Sequence, residues 1–199
     1  MILLDSVPFH SYLVRVNLFK KIGSAALAGL AAAWLAMALP PAPAEASRLL
    51  ILGVDGCRPD ALLRCRAPHL SGLAEGGAFT WWALSRPPTK SGPCWSSVFT
   101  GAWSGKHGVT DNTFANSRFD LYPMLFRRLR DADADADFNS GWFVYWPDLN
   151  TAMPHGADVS AGDWSDERTV DRAVDLLTRG NPSALLVQLG AIDSEGHAS

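Results

Sequence analysis

Three short runs made almost entirely of apolar residues constrain the fold of this chain more than any other feature. Each run is followed by turn residues, and they lie at Leu49–Val54, 141–146 and Ala184–Leu189. Runs of this length are typical of strands buried on both faces, as in a parallel sheet. Segments with helical periodicity lie between them, and this alternation is typical of a doubly wound α/β fold. We therefore predict a mostly parallel sheet with helices on both faces.

The remaining elements are predicted from local propensity and capping residues. Thr80, Trp81 and Trp82 favour an extended backbone and predict a further strand at 78–84. Proline and glycine residues make 147–163 rich in loops. Helices are predicted at 60–63, 68–75, 122–130 and after the N-cap residue Ser165.

Ionisable residues follow two of the predicted buried strands. Asp55 comes directly after the first strand, and Asp193 and His197 follow the last. Open α/β sheets bind their ligands at the carboxyl ends of the strands. Asp-Gly by itself indicates only a turn. Because Asp55 is accompanied by a second acidic position and by a candidate nucleophile, we interpret it as a site residue.

Ser91 is the candidate nucleophile. Gly92 allows a ligand to approach the backbone closely, and Pro93 suits the first turn of a helix. Trp95 and Phe99 recur with helical spacing, which predicts that a helix begins here. A phosphate beside Ser91 is then expected to meet backbone N–H groups and the positive end of the helix dipole.

Three stretches together resemble a known family. Residues 88–112, with Pro-Thr-Lys-Ser-Gly-Pro and then Thr-Gly, His-Gly and Asp-Asn, resemble the nucleophile region of the type I phosphodiesterase/nucleotide pyrophosphatase family. Residues 50–60 resemble its opening strand and first metal ligand, and Asp-Ser-Glu-Gly-His at 193–197 resembles its Asp-x-x-Gly-His metal motif. The stretches occur in the family's order and span most of the chain after residue 48.

The resemblance implies a fold, an activity and a set of site residues. The fold is that of the alkaline phosphatase superfamily, and the activity is hydrolysis of phosphoesters through a phosphorylated Ser91. By the same resemblance, Asp55 and Ser91 bind one zinc ion, Asp193 and His197 bind the second, and Asn112 donates to a phosphate oxygen. A turn asparagine is the alternative interpretation of Asn112.

The chemistry of the candidate residues favours activation of the Ser91 hydroxyl by a bound metal ion. A serine hydroxyl is a weak nucleophile, and no histidine in the local motif is placed to act as its base, so metal coordination is the other route to activation. Mixed ligation by aspartate and histidine favours zinc. Two ions about 4 Å apart would clamp the attacking and leaving oxygens. We therefore expect two divalent cations, with zinc favoured.

Lys90 and His107 flank the motif with less specific signals. Lys90 is a candidate substrate-binding residue that would add positive potential near a phosphate, although solvated lysines are commoner. His107 lies in a loop bounded by glycine, and we assign it no metal.

The sequence departs from the family at its end. The family completes its metal sites with a further Asp-His pair and another His from later in the chain, whereas this sequence ends at Ser199. We therefore expect residues 47–199 to be the amino-terminal portion of the catalytic domain, with a sheet that is incomplete at the C-terminus. As given, the chain is expected to bind zinc poorly and to hydrolyse little.

Residues 1–46 have the pattern of a secretory signal peptide. Lys20 and Lys21 precede an apolar run at 22–39, and Ala44-x-Ala46 follows as a cleavage site. We predict cleavage after Ala46, export to the periplasm or outside the cell, and no membrane span in the mature chain. A retained anchor is the alternative, since the run is about long enough to span a bilayer.

Composition and net charge limit the classes of substrate and partner that we expect for this chain. The chain is 48% hydrophobic with a net charge of −3 and shows no basic face, so we expect a small phosphoester or nucleotide-like substrate and no nucleic-acid binding. Export makes a disulfide between Cys57 and Cys65 possible, with Cys94 left over. Three buried thiols are the equally favoured alternative.

Three other functions compete with the phosphodiesterase interpretation. A phosphomonoesterase of the same superfamily would use the same metal ligands. A sulfatase is disfavoured because Trp95 stands where its nucleophile motif requires arginine. An inactive exported fragment that acts only as a binding domain is the non-enzymatic alternative.

Overall fold

The computed structural model describes residues 48–132 and 138–198. The predicted signal peptide, residues 1–46, lies outside the described residues, and its cleavage stays a prediction. None of the helices within 48–132 and 138–198 combines the length and the apolar character that crossing a membrane requires.

Four strands and a series of short helices make up the described fold. The strands are β1 (Leu49–Val54), β2 (Ser140–Val144), β3 (Val159–Gly162) and β4 (Ala184–Leu189). The helices are α1 (Pro59–Arg64), α2 (Pro68–Gly76), α3 (Ser91–Thr100), α4 (Ser104–His107), α5 (Leu125–Ala132), α6 (Pro147–Ala152), α7 (Asp166–Arg179) and α8 (Ala191–Ala198).

All strand pairs in the sheet are parallel, and the strand order is β1-β4-β2-β3. Leu49 pairs with Ala184 and Val54 with Leu189, so β1 and β4 end at the same level. The carboxyl ends of parallel strands meet at one edge of the sheet, which brings the segment after β1 beside the segment after β4. The prediction of a parallel α/β sheet is confirmed.

The two faces of the sheet carry separate apolar clusters. Ile51, Trp142 and Leu186 point to one face, where they pack with α3, α5 and α6. Phe143 and Leu185 point to the other face, where Ala173 of α7 covers them. Successive strand residues face opposite sides, so continuous apolar strands need helices on both faces.

Several element predictions are confirmed. Helices α1 and α2 lie where the sequence predicts them, and β1 and β4 have the predicted bounds. Ser165 is the N-cap of α7, and its hydroxyl accepts from the backbone N–H of Arg168 at 3.2 Å. Helix α5 begins at Leu125, after Pro123, rather than at 122.

The strand predicted at 78–84 is wrong. This segment has no regular structure, and the side chains of Trp82 and Leu84 are 87% and 89% exposed. The ring of Phe79 instead packs edge-on against that of Trp81, 5.4 Å between centroids. β propensity reflects the fit of a side chain to a pleated, half-buried surface, and this segment is not built into the sheet.

The prediction of a loop at 147–163 missed two elements, α6 and β3. The Asp158 carboxylate accepts from the backbone N–H of Ser140 at 2.8 Å and from its hydroxyl at 2.6 Å. These bonds fix the start of β3 beside β2. Such a short edge strand depends on this tertiary contact and leaves almost no periodic signal in the sequence.

The three cysteines, all within the described residues, are free thiols. Cys57 and Cys94 are partly buried, whereas Cys65 is exposed. The structure therefore contains no disulfide between Cys57 and Cys65.

We expect Gly53→Ala to reduce the free energy of unfolding by about 1–3 kcal/mol, the usual cost of overpacking. A Cβ at Gly53 would overlap the ring of Trp95, which crosses β1 at this point. Urea unfolding measures the change. Gly72→Ala is the matched control, because no atom lies within 4 Å of a Cβ there and alanine is the better helix former. Equal stability of the two variants would contradict the packing argument.

Candidate active site

Two overlapping clefts of about 290 and 540 Å³ open at the carboxyl edge of the sheet. We call them together the edge cleft. The residues that line both are Asp55, Ser91, Asn112, Asp193 and His197. Lys90 lines the larger cleft. All the residues singled out from the sequence as site candidates therefore lie around one opening.

Asp55 is held at the end of β1 by two hydrogen bonds. Its Oδ2 accepts from the indole Nε1 of Trp95 at 2.9 Å, and its Oδ1 accepts from the backbone N–H of Gly56 at 3.1 Å. Gly56 has a φ of +68°, and a Cβ there would lie 2.7 Å from the Cα of Asp193. The turn after β1 thus fits closely against the start of α8, which requires glycine at this position.

Ser91 is the first residue of α3, and Lys90 is its N-cap residue. The backbone N–H of Gly92 donates to the Oδ1 of Asn112 at 2.9 Å, and Pro93 has no N–H. Of the first three residues in α3, Ser91 is therefore the one whose N–H is left for a ligand. The expectation of several backbone donors facing a phosphate is corrected to this one N–H together with the helix dipole.

Asn112 is oriented by its contact with α3. Because its side-chain oxygen accepts from Gly92, the amide nitrogen of the same planar group is left to donate into the edge cleft. A Cβ at Gly92 would lie 2.8 Å from the backbone oxygen of Asp111, so glycine permits this approach.

Asp193 and His197 lie one turn apart on α8, with His197 Nε2 3.6 Å from Asp193 Oδ2. The side chain of His197 is exposed, whereas that of Asp193 is 34% exposed. Burial raises the pKa of Asp193 above the ordinary 3.8, the Asp55 carboxylate raises it further, and His197 opposes both. Asp55 and Asp193 therefore repel each other across the edge cleft.

Asp166 fixes the start of α8, a role that the sequence did not reveal. Its Oδ1 accepts from the backbone N–H of Gly190 at 2.8 Å, and its Oδ2 accepts from the backbone N–H of Ala191 at 3.3 Å. A carboxylate satisfies the unpaired donors at a helix N-terminus. Asp166 thereby sets the position of the helix that carries Asp193 and His197.

An aromatic wall, formed by Tyr145, Trp146 and Trp164, lines one side of the smaller cleft. The Tyr145 and Trp164 rings are nearly perpendicular, 5.5 Å between centroids. The buried amide of Gln188 accepts from the backbone N–H of Tyr145 at 3.0 Å and so fixes the turn after β2. The sequence predicts Tyr145 and Trp146 inside the strand at 141–146, whereas β2 ends at Val144 and both residues line the cleft instead.

Two further histidines lie away from the edge cleft, His107 in the core and His155 at a half-buried position. His107 is buried, its Nδ1 accepts from the backbone N–H of Val109 at 3.1 Å, and its Nε2 lies 3.0 Å from Ser97 Oγ. Burial lowers the pKa of His107. His155 stacks on Trp142, 4.8 Å between ring centroids.

Within 48–132 and 138–198, no group of three or more His, Cys, Asp or Glu side chains is arranged to hold a metal ion. The candidate ligands at the edge cleft are two carboxylates, one imidazole and the hydroxyl of Ser91. The mutual repulsion of the two carboxylates is what a divalent cation would relieve. The residues present thus fit part of a ligand set for hard or borderline cations.

We expect Asp193→Asn to increase the free energy of unfolding of the metal-free protein near neutral pH. The raised pKa means that the folded protein binds this proton more tightly than the unfolded chain. The carboxyl therefore costs stability as the pH rises from 3.8 through its folded-state pKa. The advantage of the variant should shrink at about pH 3.

Urea unfolding at the two pH values measures this difference. Glu195→Gln, at an exposed position of α8, is the control for loss of an acidic side chain on the same helix. A variant no more stable than wild type near neutral pH would contradict the stated repulsion.

Comparison with known proteins identifies the family of this chain. A family model described as type I phosphodiesterase / nucleotide pyrophosphatase matches residues 49–199. Searches of curated proteins and of solved structures gave no match. The matched residues include every strand of the sheet and every residue of the edge cleft, and the parallel sheet agrees with the alkaline phosphatase-like fold of this family. The chain therefore belongs to the type I phosphodiesterase/nucleotide pyrophosphatase family of hydrolases.

Proposed function

We propose that this protein is a metal-dependent phosphodiesterase in which Ser91 is the nucleophile. The observation that supports the proposal is that Ser91, two carboxylates, an imidazole and an amide all line one cleft at the carboxyl edge of the sheet. Family membership supports small phosphoester or nucleotide substrates.

Ser91 would attack the phosphorus atom of a bound ester. Its Oγ forms a bond to phosphorus while the bond from phosphorus to the leaving ester oxygen breaks, and the hydroxyl proton passes to solvent. Water then attacks the phosphorus of the Ser91 ester, which releases the product and returns a proton to Oγ. The N-terminus of α3 favours the negative charge carried through both steps.

Asn112 and Lys90 would stabilise the phosphate oxygens. The amide of Asn112 is already oriented by its bond to Gly92, so it needs little reorganisation to donate. Lys90, which lines the larger cleft, adds a positive charge beside Ser91.

Asp55 with Ser91 would hold one divalent cation, and Asp193 with His197 would hold another. Bound cations would supply activation of the hydroxyl and neutralisation of charge on the phosphate. Ligation by oxygen and imidazole together favours zinc. In this proposal, Asp55 and Asp193 are themselves the negatively charged ligands that bind the cations at the edge cleft.

The aromatic wall favours a diester over a monoester. It extends the cleft from Ser91 along Tyr145 and Trp164, where a flat ester group can stack. A phosphomonoester has one ester group, which departs as the leaving group. It therefore has no second ester group that could stay in contact with the aromatic wall.

The chain is expected to hydrolyse bis-(p-nitrophenyl) phosphate only slowly, and we expect Ser91→Ala to reduce this rate to the uncatalysed background, because the nucleophile is lost. Ser194→Ala is the matched control, since this hydroxyl lines the same cleft on α8. Mass spectrometry of rapidly quenched protein should find p-nitrophenyl phosphate esterified to Ser91. Unchanged turnover of the Ser91→Ala protein would contradict the proposal, and faster turnover of p-nitrophenyl phosphate than of the diester would favour the monoesterase.

Removal of divalent cations with EDTA is expected to abolish hydrolysis of the same diester, and added Zn²⁺ should restore it. The reason is that the hydroxyl then loses its activation and the two carboxylates repel an anionic substrate. Release of p-nitrophenol measures the effect. The Asp193→Asn variant, treated in the same way, should not recover, and full activity after exhaustive chelation would refute metal dependence.

A further inference from the structure

Trp95 makes a contact with Asp55 that nothing in the proposed chemistry has used. Its indole Nε1 lies 2.9 Å from Asp55 Oδ2, although the two residues are 40 positions apart. The other oxygen of Asp55 accepts from the adjacent backbone N–H of Gly56. The indole is therefore the side-chain donor that fixes which way this carboxylate faces.

The core holds the indole in place. Trp95 is buried, lies against Gly53 in β1, and stacks on Phe99 with 5.5 Å between ring centroids and 16° between the planes. Phe99 in turn packs edge-on against Trp142, 4.6 Å between centroids. A side chain wedged in this way cannot follow the carboxylate, so the carboxylate must follow the indole.

An indole is well suited to hold a cation ligand. It donates one hydrogen bond, has no acceptor and carries no charge, so it orients a carboxylate without repelling a cation. An ionised carboxylate offers about four lone-pair positions, and the two hydrogen bonds to Asp55 leave the rest available. An arginine at the same place would neutralise the charge that a cation needs.

We propose that Trp95 is a positioning residue for Asp55, holding its carboxylate in the orientation that binds a divalent cation at the edge cleft. The inference rests on the proposed role of Asp55 as a metal ligand. Donors that orient a ligating side chain are typically worth 10–100-fold in metal affinity or activity.

The test compares two substitutions of buried tryptophans. Trp95→Phe keeps an aromatic ring in the core and removes the indole donor. Trp142→Phe is the matched control, because its buried Nε1 has no hydrogen-bond partner within the described residues. Co²⁺, followed by its visible absorption, is the probe, since a thiolate ligand from a nearby cysteine would add its own intense band.

We expect Trp95→Phe to weaken Co²⁺ binding about tenfold or more. Trp142→Phe keeps a ring against Phe99 and should weaken it by much less. In an Asp55→Asn background, Trp95→Phe should have little further effect, because the indole acts through the carboxylate. A Trp95→Phe protein that binds Co²⁺ like wild type overturns the inference while leaving the proposed function intact. An equal loss in the Asp55→Asn background overturns it as well, because the indole would then act through packing alone.

A second measurement does not depend on metal binding. Hydrogen exchange of the indole N–H groups, followed by NMR in the metal-free protein, should be faster at Trp95 in Asp55→Ala and unchanged at Trp142. If the exchange rate of the Trp95 indole N–H is the same in Asp55→Ala as in wild type, the inference is overturned. If wild type binds no Co²⁺ but this exchange responds, the proposed metal site fails and the positioning contact stands.

Discussion

The in-register pairing of β1 with β4 is the contact on which the edge cleft depends. The backbone N–H of Asp55 donates to the carbonyl of Leu189 at 2.9 Å, so the ladder continues to the last residue before the turn. Gly56 then presses against the backbone of Asp193. A slip of one residue would exchange the two faces of β1 and shift Asp55 by about 3.3 Å along the strand. Ile51 is buried on one face of β1 and Leu52 is partly buried on the other, so such a slip would be costly. The position of Asp55 is therefore set by the packing of the core.

Helix α3 reaches this edge because two glycines allow close contact. Gly53 lets the ring of Trp95 lie directly on β1, and Gly92 lets the N-terminus of α3 meet Asn112. The first contact sets the height of the helix above the sheet, and the second sets the position of its first turn. Ser91 comes beside Asp55 as a result of both. The same packing that stabilises the core therefore also aligns the proposed nucleophile with its proposed metal ligand.

Patterns of neighbouring residues predict the strands and the helix cap that those residues form among themselves. The apolar runs predict β1 and β4, of which β4 is buried on both faces, whereas β1 leaves Leu50 half exposed. Ser165 acts as a cap within its own turn. Motif and resemblance predict the candidate site residues, with Asp55 and Asp193 after strand ends and Ser91 at the start of a helix. The strand at 78–84 failed because propensity cannot tell whether a partner strand exists. The bond from Trp95 to Asp55, and the use of the Gly92 N–H by Asn112, join distant positions and have no local pattern.

The acidic residues that form ion pairs with arginine differ from the acidic residues at the edge cleft in the groups that contact them. Asp163 forms ion pairs with Arg168 and Arg172, both at 3.0 Å, and Asp158 pairs with Arg130 at 2.8 Å. Asp55 is instead held by an indole and a backbone N–H, and its charge helps to raise the pKa of Asp193. Arginines thus balance Asp158 and Asp163, whereas neutral donors orient Asp55 at the edge cleft. Departures from local consistency of this kind are expected at functional sites. A cation supplied from solution would complete the balance that the chain's own arginines provide elsewhere.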